Sequence, residues 1–429
     1  MEIFSDRVLE EVNTFFDKAT PINPQQIDFK NPYFTQPKHA VKEQLSDPKS
    51  LLAGLSADHL YVHVPFCATH CLYCHYPTLT NAHSPENQLT FLENIEKEWN
   101  EYQEIGVDFS KVKTVHIGGG TPNCLDPDNL ERLTKNLSEI FKPSIEYAAE
   151  LYPSPYDLTE EKFQILANNG VDRVSIGIQT FNYAINERNR RINQKPEDLF
   201  RILKLAKQYF NNVSIDLLYG QKEQTLDDLS KDFEITRELE INSVYLYQTR
   251  ELIGKRLIEL QKALNMFLKY FSSHGYEIVS FDQVIKKRNN DGFCAHRSGR
   301  SLSENLLGIG PGSVSEMGEY IFKTVSPEVY ANQPGIDLDS VVKRSERTQK
   351  LEYLNRAFRH FNTPGINGML FEDYRKRFGI DSPVDDFPEE IEFLKNNKLI
   401  AIDNSQIEIT NLGMLFTQPI NNYLLGHYK

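Results

Sequence analysis

The stretch His63-Val-Pro-Phe-Cys67-Ala-Thr-His-Cys71-Leu-Tyr-Cys74-His-Tyr-Pro77 gathers three of the chain's five cysteines directly after the β-rich run His59 to Val64. The number of thiolates decides how it is read. A closed structural zinc site or a fully ligated cluster takes four protein ligands, whereas a [4Fe-4S] cluster held by three cysteines keeps one iron free for a small molecule. The alternative is a Cys3His zinc centre completed by His63, His70 or His75. Structural zinc usually draws its ligands as two separated pairs, so a single three-cysteine loop favours the cluster, with Cys67, Cys71 and Cys74 as metal ligands. Cys124 and Cys294 read as buried small hydrophobes or incidental thiols.

Outward from this loop, strand-like and helix-like segments alternate. Runs at His59 to Val64, Lys113 to Ile117, Glu146 to Leu151, Arg173 to Ile178, Val213 to Leu218 and Ser243 to Tyr247 are rich in β-formers. Between and after them, Glu86 to Tyr102, Asp128 to Phe141, Thr159 to Asn169, Pro196 to Tyr209, Leu226 to Leu239 and Lys255 to His274 carry helical apolar spacing. The alternation predicts an α/β fold, a partial (β/α)6 TIM-like barrel of parallel strands whose gap admits a bulky substrate. Site residues belong at strand C-terminal ends. The cysteine loop follows the first strand, Gly118-Gly-Gly-Thr-Pro122 the second, Glu150 ends the third, Gln179 the fourth, and Asp216 sits on the fifth.

Residues 1–57 read as an irregular N-terminal arm, 58–285 as the barrel, 286–340 as an extension and connector, and 341–429 as a small winged-helix-like α+β domain. That last expectation rests on helices preceding the hairpin Lys398 to Thr410. At 429 residues two domains are expected, and 26 Phe with 21 Tyr exclude a disordered chain. A net charge of -13 disfavours a surface for nucleic-acid backbone. No run approaches the roughly 20 apolar residues of a membrane span, and the N-terminal stretch is acidic without a signal-peptide pattern, so the cytoplasm is expected. Clustered cysteines in odd number are not a secreted disulfide framework.

The three cysteines after a strand, with Tyr73 before the last, resemble the signature of radical S-adenosylmethionine (SAM) enzymes. More narrowly, Tyr61-Val-His-Val-Pro-Phe-Cys67, Gly118-Gly-Gly-Thr-Pro122, Gly170 to Asn182, Asp216-Leu-Leu-Tyr-Gly-Gln221 and Leu307-Gly-Ile-Gly-Pro-Gly312 resemble the oxygen-independent coproporphyrinogen III oxidase-like group. The likeness runs from about residue 57 to 425 and includes Phe371 to Gly379, Leu394 to Ile400 and Ile409 to Gly413. It implies one [4Fe-4S] cluster, at least one SAM and possible use of two, and reductive SAM cleavage to a 5'-deoxyadenosyl radical. It also implies SAM contacts at Tyr61, Gly118, Gly119, Gly120, Thr121, Glu150, Gln179, Arg191 and Asp216, with Arg191 pairing with the SAM carboxylate. The glycines are expected to let backbone approach the ligand, and Glu150 to accept from the SAM amino group or ribose.

The chain departs from the group's patterns at identifiable places. Tyr76 stands where the oxidase carries a further cysteine, and His75-Tyr76 replaces the Asp-Phe of the haem-chaperone branch. Leu246 to Glu251 replaces that branch's Glu-Pro-Gly-Thr, and Asn193 ends a segment whose family pattern ends in His. The implied substrate is a tetrapyrrole or another carboxylated aromatic, with oxidative decarboxylation first and two-SAM methyl transfer or cyclopropanation second. Haem delivery to a partner is the non-enzymatic alternative. Substrate contacts are expected from the arm, Tyr245 to Glu251 and Asn289 to Arg300, where His296 and Arg297 read first as part of a solvated loop and second as partners for substrate carboxylates. A flavodoxin- or ferredoxin-type protein is the expected electron donor.

Overall fold

The computed structural model describes residues 8–9, 11–12, 14, 40–42, 47, 49–80, 84–191, 194–249, 257–286, 304–359, 362–363, 366–367 and 369–425. The loop 289–300 with His296 and Arg297, Asn193, Glu251, Cys294 and most of the arm lie outside the described residues.

All six expected strands form: β1 (His59–Val64), β2 (Thr114–Gly119), β3 (Glu146–Leu151), β4 (Arg173–Gln179), β5 (Asn212–Tyr219) and β6 (Ser243–Gln248). They pair in parallel in chain order. Parallel strands covered on their outer side need apolar outward residues, and Leu60, Val62, Val115, Ile117, Val174, Ile176, Val213, Ile215, Val244 and Leu246 are all buried. Their inward neighbours at the N-terminal end are polar and paired with one another. His59 Nδ1 lies 2.8 Å from Thr114 Oγ1, Arg173 donates to Glu146 Oε2 and Ser214 Oγ at 3.1 Å each, and Gln283 donates to Ser243 Oγ at 3.1 Å. A buried polar floor is tolerable because its groups satisfy each other.

Helices α1 (Pro85–Ile105), α2 (Pro127–Phe141), α3 (Glu160–Asn168), α4 (Tyr183–Arg188), α5 (Pro196–Tyr209), α6 (Leu226–Glu238) and α7 (Leu257–Ser273) fill the crossovers and the segment after β6. Ser84, Asp126, Thr159 and Thr225 cap the first, second, third and sixth of these, each accepting a first-turn amide. The six-residue α4 escaped the periodicity reading because fewer than two turns show no repeating apolar face. Its signal was local: Asn182 accepts the amides of Ala184 and Ile185.

The sheet continues past both ends of this parallel set. Beyond β6 come the antiparallel β8 (Gln283–Lys286) and β7 (Tyr276–Ser280). Beyond β1, the segment read as an extension supplies β9 (Leu306–Ile309), parallel to β1, then antiparallel β10 (Val314–Met317), β11 (Tyr320–Thr324) and β12 (Ile336–Arg344), edged by Ala40–Lys42. The long strand β12 runs through the expected boundary at residue 340. After it come α8 (Glu346–Arg359), a short antiparallel pair (Asn362–Thr363 with Ile366–Asn367), β13 (Met369–Leu370), α9 (Phe371–Phe378), the one-turn helix Pro383–Asp386, α10 (Pro388–Asn396), the hairpin β14 (Ile400–Ile402) and β15 (Gln406–Ile409), α11 (Asn411–Leu415) and α12 (Thr417–Leu425), with β13 pairing on β15. Asp403 Oδ1 closes the hairpin turn by accepting the Ser405 and Gln406 amides.

Candidate functional site

Parallel register places Tyr61, Gly118, Glu150 and Asp216 on one face. Tyr61 lies beside His116, His63 beside Gly118, Glu150 beside Ser175, and Gly177 beside Asp216, which in turn lies beside Tyr245. Side-chain contacts follow this order. Tyr61 stacks on His116 at 6.1 Å and its hydroxyl sits 3.2 Å from His63 Nδ1. His116 Nε2 lies 2.9 Å from Glu150 Oε1, and Ser175 donates to Asp216 Oδ1 at 3.2 Å.

The Glu150 side chain is half exposed to the rim, at 47 %. Desolvation pushes its carboxyl upward, but the His116 hydrogen bond and the positive charge of Arg173 outweigh that and hold it below its ordinary range. It is an anion aimed at the cavity mouth.

Gln179 enters the same face by a bulge. The register slips between Gly177 and Gln179, and Gln179 takes φ +68°, which folds its amide to within 2.9 Å of where a Cβ on Gly177 would sit.

Glycines 118–120 answer a packing demand from the protein itself. A Cβ on Gly118 would sit 2.7 Å from Glu150 Oε2 and 3.0 Å from the Tyr61 ring; on Gly119, 2.8 Å from His63 Nδ1; on Gly120, 2.7 Å from Phe66 O. The expected close approach is therefore made first by Glu150, Tyr61, His63 and the backbone leading into the cysteine loop.

That loop is anchored on three sides. Phe66–Cys67 pairs with Leu79–Thr80, and Gly120 donates to Val64 O at 2.7 Å. Thr121 Oγ1 lies 3.5 Å from Cys67 Sγ. Across the mouth, Leu72 N–H donates to Asn189 O at 3.3 Å, Thr69 hydroxyl to Arg190 O at 3.2 Å, and Arg191 reaches Tyr73 hydroxyl at 2.7 Å. From β9, Gly310 packs against His63 O and Gly312 against the Pro77 ring, each too close for a side chain.

Cys67, Cys71 and Cys74 are free thiols, each partly exposed. Burial pushes the Cys67 thiol up to about 12, with the neighbouring Cys124, Cys74 and Cys71 adding to the rise, and burial also raises Cys74. Thiols that repel one another's ionised forms form a set that a cationic centre would deprotonate.

Of the histidines that could complete a Cys3His centre, His63 has both ring nitrogens engaged, Nδ1 by the Tyr61 hydroxyl and Nε2 by Pro77 O at 2.8 Å. His70 sits 3.4 Å from Thr78 Oγ1, and His75 stacks on Tyr76 at 4.6 Å. Among the described residues no three His, Cys, Asp or Glu side chains converge on one metal-ion position.

His116, which orients Glu150, has no role in the sequence reading, and His63 enters it only as a possible zinc ligand, although polar residues alternating into apolar parallel strands are a legible signal. Cys124 packs, partly buried, against the hydrophobic core, in line with its reading as a small hydrophobe. It lies beside Cys67, in electrostatic contact with it and near the same Thr121 hydroxyl.

A family model described as the Radical SAM superfamily matches residues 61–234. Heme chaperone HemW of Bacillus subtilis is 33% identical over 393 residues, covering 85% of this chain and 98% of that protein. The chain belongs to the radical SAM superfamily. Within it, the chain falls in the coproporphyrinogen oxidase-like group expected from the motifs. The oxygen-independent coproporphyrinogen III oxidase of Helicobacter pylori is 23% identical, covering 86% of this chain and 87% of that one. The Escherichia coli coproporphyrinogen III oxidase HemN structure superposes with a TM-score of 0.69 at 20% identity, over 87% of this chain and 90% of that one. The α/β fold is that of HemN. Radical SAM membership implies a [4Fe-4S] cluster and SAM, and the donor set fits: three adjacent thiols on one loop, beside an anionic and hydroxyl-bearing rim. Among the described residues no helix is long and apolar enough to cross a membrane.

Proposed function

We propose that this radical SAM protein holds a [4Fe-4S] cluster on Cys67, Cys71 and Cys74, receives SAM on Tyr61, Gly118, Gly119, Gly120, Thr121, Glu150, Gln179, Arg191 and Asp216, and acts on a tetrapyrrole. The observation that carries this reading is the seating of the three thiols at the C-terminal mouth of the parallel strands, over the rim that β2 to β5 supply in register. When bound, a reduced cluster and SAM supply radical chemistry at an unactivated carbon. The chain's own residues bind and orient. Glu150, kept anionic by His116, accepts from the SAM ammonium or ribose hydroxyls, and Asp216, braced by Ser175, offers a second acceptor further along the rim. At the far end of the strands the buried polar side chains of His59, Thr114, Glu146, Arg173, Ser214 and Ser243 pair among themselves and with Gln283, which leaves them out of SAM binding. A small flavodoxin- or ferredoxin-type protein supplies the electron.

For the substrate, the oxidase relatives support oxidative decarboxylation of a porphyrinogen. A second reading, haem delivery, is favoured by Tyr76, an aromatic where the oxidase pattern has cysteine, and by the HemW relatives. Tyr76 is 38% exposed beside the third ligand. The test is anaerobic reconstitution followed by reduction, with 5'-deoxyadenosine and products measured by mass spectrometry, with and without porphyrinogen, alongside a haem titration. An enzyme yields 5'-deoxyadenosine that rises with porphyrinogen; a chaperone binds haem with little SAM turnover. Cys67→Ala, Cys71→Ala and Cys74→Ala each lose the cluster's iron and visible absorbance. Full iron content and SAM cleavage in those variants would refute the cluster assignment.

A further inference from the structure

The turn Asn189 to Arg191 forms a saddle beneath the cysteine loop. Its first two carbonyls take Leu72 N–H and the Thr69 hydroxyl, and Arg190 at φ +60° turns the chain so that Arg191 runs inward. Arg191 is 3% exposed. Its Nε donates to Gln194 Oε1 at 2.8 Å, its Nη2 to Gly177 O, and its Nη1 to Tyr73 hydroxyl at 2.7 Å. The same Nη1 lies 3.9 Å from Cys71 Sγ, and the guanidinium rests 4.6 Å over the Tyr152 ring.

A buried guanidinium needs a compensating anion, since an unpaired buried charge costs several kcal/mol. None of its described contacts is a carboxylate. Its other partners are a side-chain amide, a backbone carbonyl, a phenol hydroxyl and an aromatic ring face. The Cys71 sulfur, as a cluster thiolate, is the contact that can carry the negative charge.

We propose that Arg191 is a positioning residue that raises the reduction potential of the [4Fe-4S] cluster by aiming a charge-assisted N–H···S contact at Cys71, with Gln194, Gly177, Tyr73 and Tyr152 holding it there. The inference rests on the cluster reading of the three cysteines. Reduction adds negative charge to a cluster, and hydrogen bonds to its sulfurs and nearby positive charge stabilise the reduced form more than the oxidised one. The fork geometry matters: lysine keeps the charge but cannot serve Gln194, Gly177, Tyr73 and Cys71 at once.

The test is an anaerobic redox titration of the reconstituted protein without SAM, followed by electron paramagnetic resonance, on wild type, Arg191→Lys, Arg191→Gln and Tyr73→Phe. Working without SAM separates this role from a contact with the SAM carboxylate, which would leave the SAM-free potential unmoved. The expected result is a shift to more negative potential, largest in Arg191→Gln, smaller in Arg191→Lys and Tyr73→Phe, at unchanged iron content. A wild-type potential in Arg191→Gln with full iron overturns the inference. If both Arg191 variants fail to retain the cluster, the same titration on Tyr73→Phe and Gln194→Ala decides, and unshifted potentials in both overturn it. A wild-type protein that assembles no [4Fe-4S] cluster would instead refute the proposed function.

Discussion

Gly118 and Gly120 lie two positions apart but make different demands. The Cβ of Gly120→Ala would press on Phe66 O and the Pro65 carbonyl, backbone that cannot yield without moving the cysteine loop. Denaturant unfolding is expected to show a loss of about 1–3 kcal/mol, the usual cost of overpacking, together with reduced iron loading. Gly118→Ala meets the end of the Glu150 side chain, which can swing away. It should unfold closer to wild type while weakening SAM binding, measured by equilibrium dialysis, because Glu150 leaves its place. His63 makes a pH prediction. Burial lowers its pKa from 6.5 to about 4, so between those values the unfolded chain holds a proton that the folded chain refuses. The stabilisation is complete above pH 6.5 and fades as pH falls toward 4, in total about 3 kcal/mol. Denaturation of the cluster-free chain across that window, compared with His63→Gln, should show the variant's stability falling less.

At the scale of elements, one side chain ties three together. Glu98 on α1 is fully buried, and its carboxylate accepts Tyr102 hydroxyl at 2.6 Å, Tyr330 hydroxyl at 2.5 Å and Gly310 N–H at 3.0 Å. Through Gly310 it holds the loop after β9 against His63 and so supports the cysteine loop from below. Glu98→Ala strands these donors and is expected to cost about 1–3 kcal/mol or more, whereas Glu98→Gln keeps an acceptor. Burial raises this carboxyl to about 7, above its unfolded value, so its contribution is full below pH 4.5 and is lost as pH rises through 7. Thermal unfolding at pH 8 should therefore find Glu98→Gln at least as stable as wild type and Glu98→Ala well below it.

Across the whole molecule, a buried charge cluster couples the extended sheet to the C-terminal helices. Arg344 on β12 pairs with Glu352 of α8 at 2.9 Å and with Glu316 of β10 at 3.6 Å, and Arg356 of α8 also binds Glu316. Arg344→Met leaves two buried carboxylates sharing one arginine. It should lower stability by about 3–5 kcal/mol, read by chemical denaturation. If the C-terminal unit depends on this joint, its unfolding will precede that of the barrel in the variant.

The local rules of the chain determined the six strands, most helix starts and the cysteine loop. Alternating apolar positions, capping residues such as Asp126 and Thr225, and three closely spaced thiols act through near neighbours, so each is legible without the fold. The strand-end positions of Gly118, Glu150 and Gln179, and the place of Asp216 within β5, were legible for the same reason, since a parallel α/β order dictates which ends converge. Only the tertiary structure decided what those residues touch. It set His116 on Glu150, seated Arg191 on Cys71, brought Cys124 beside Cys67, and joined β9 to β1 across more than 240 positions of chain. Such contacts depend on register and on packing between segments far apart in sequence, and no local pattern of residues encodes that distance.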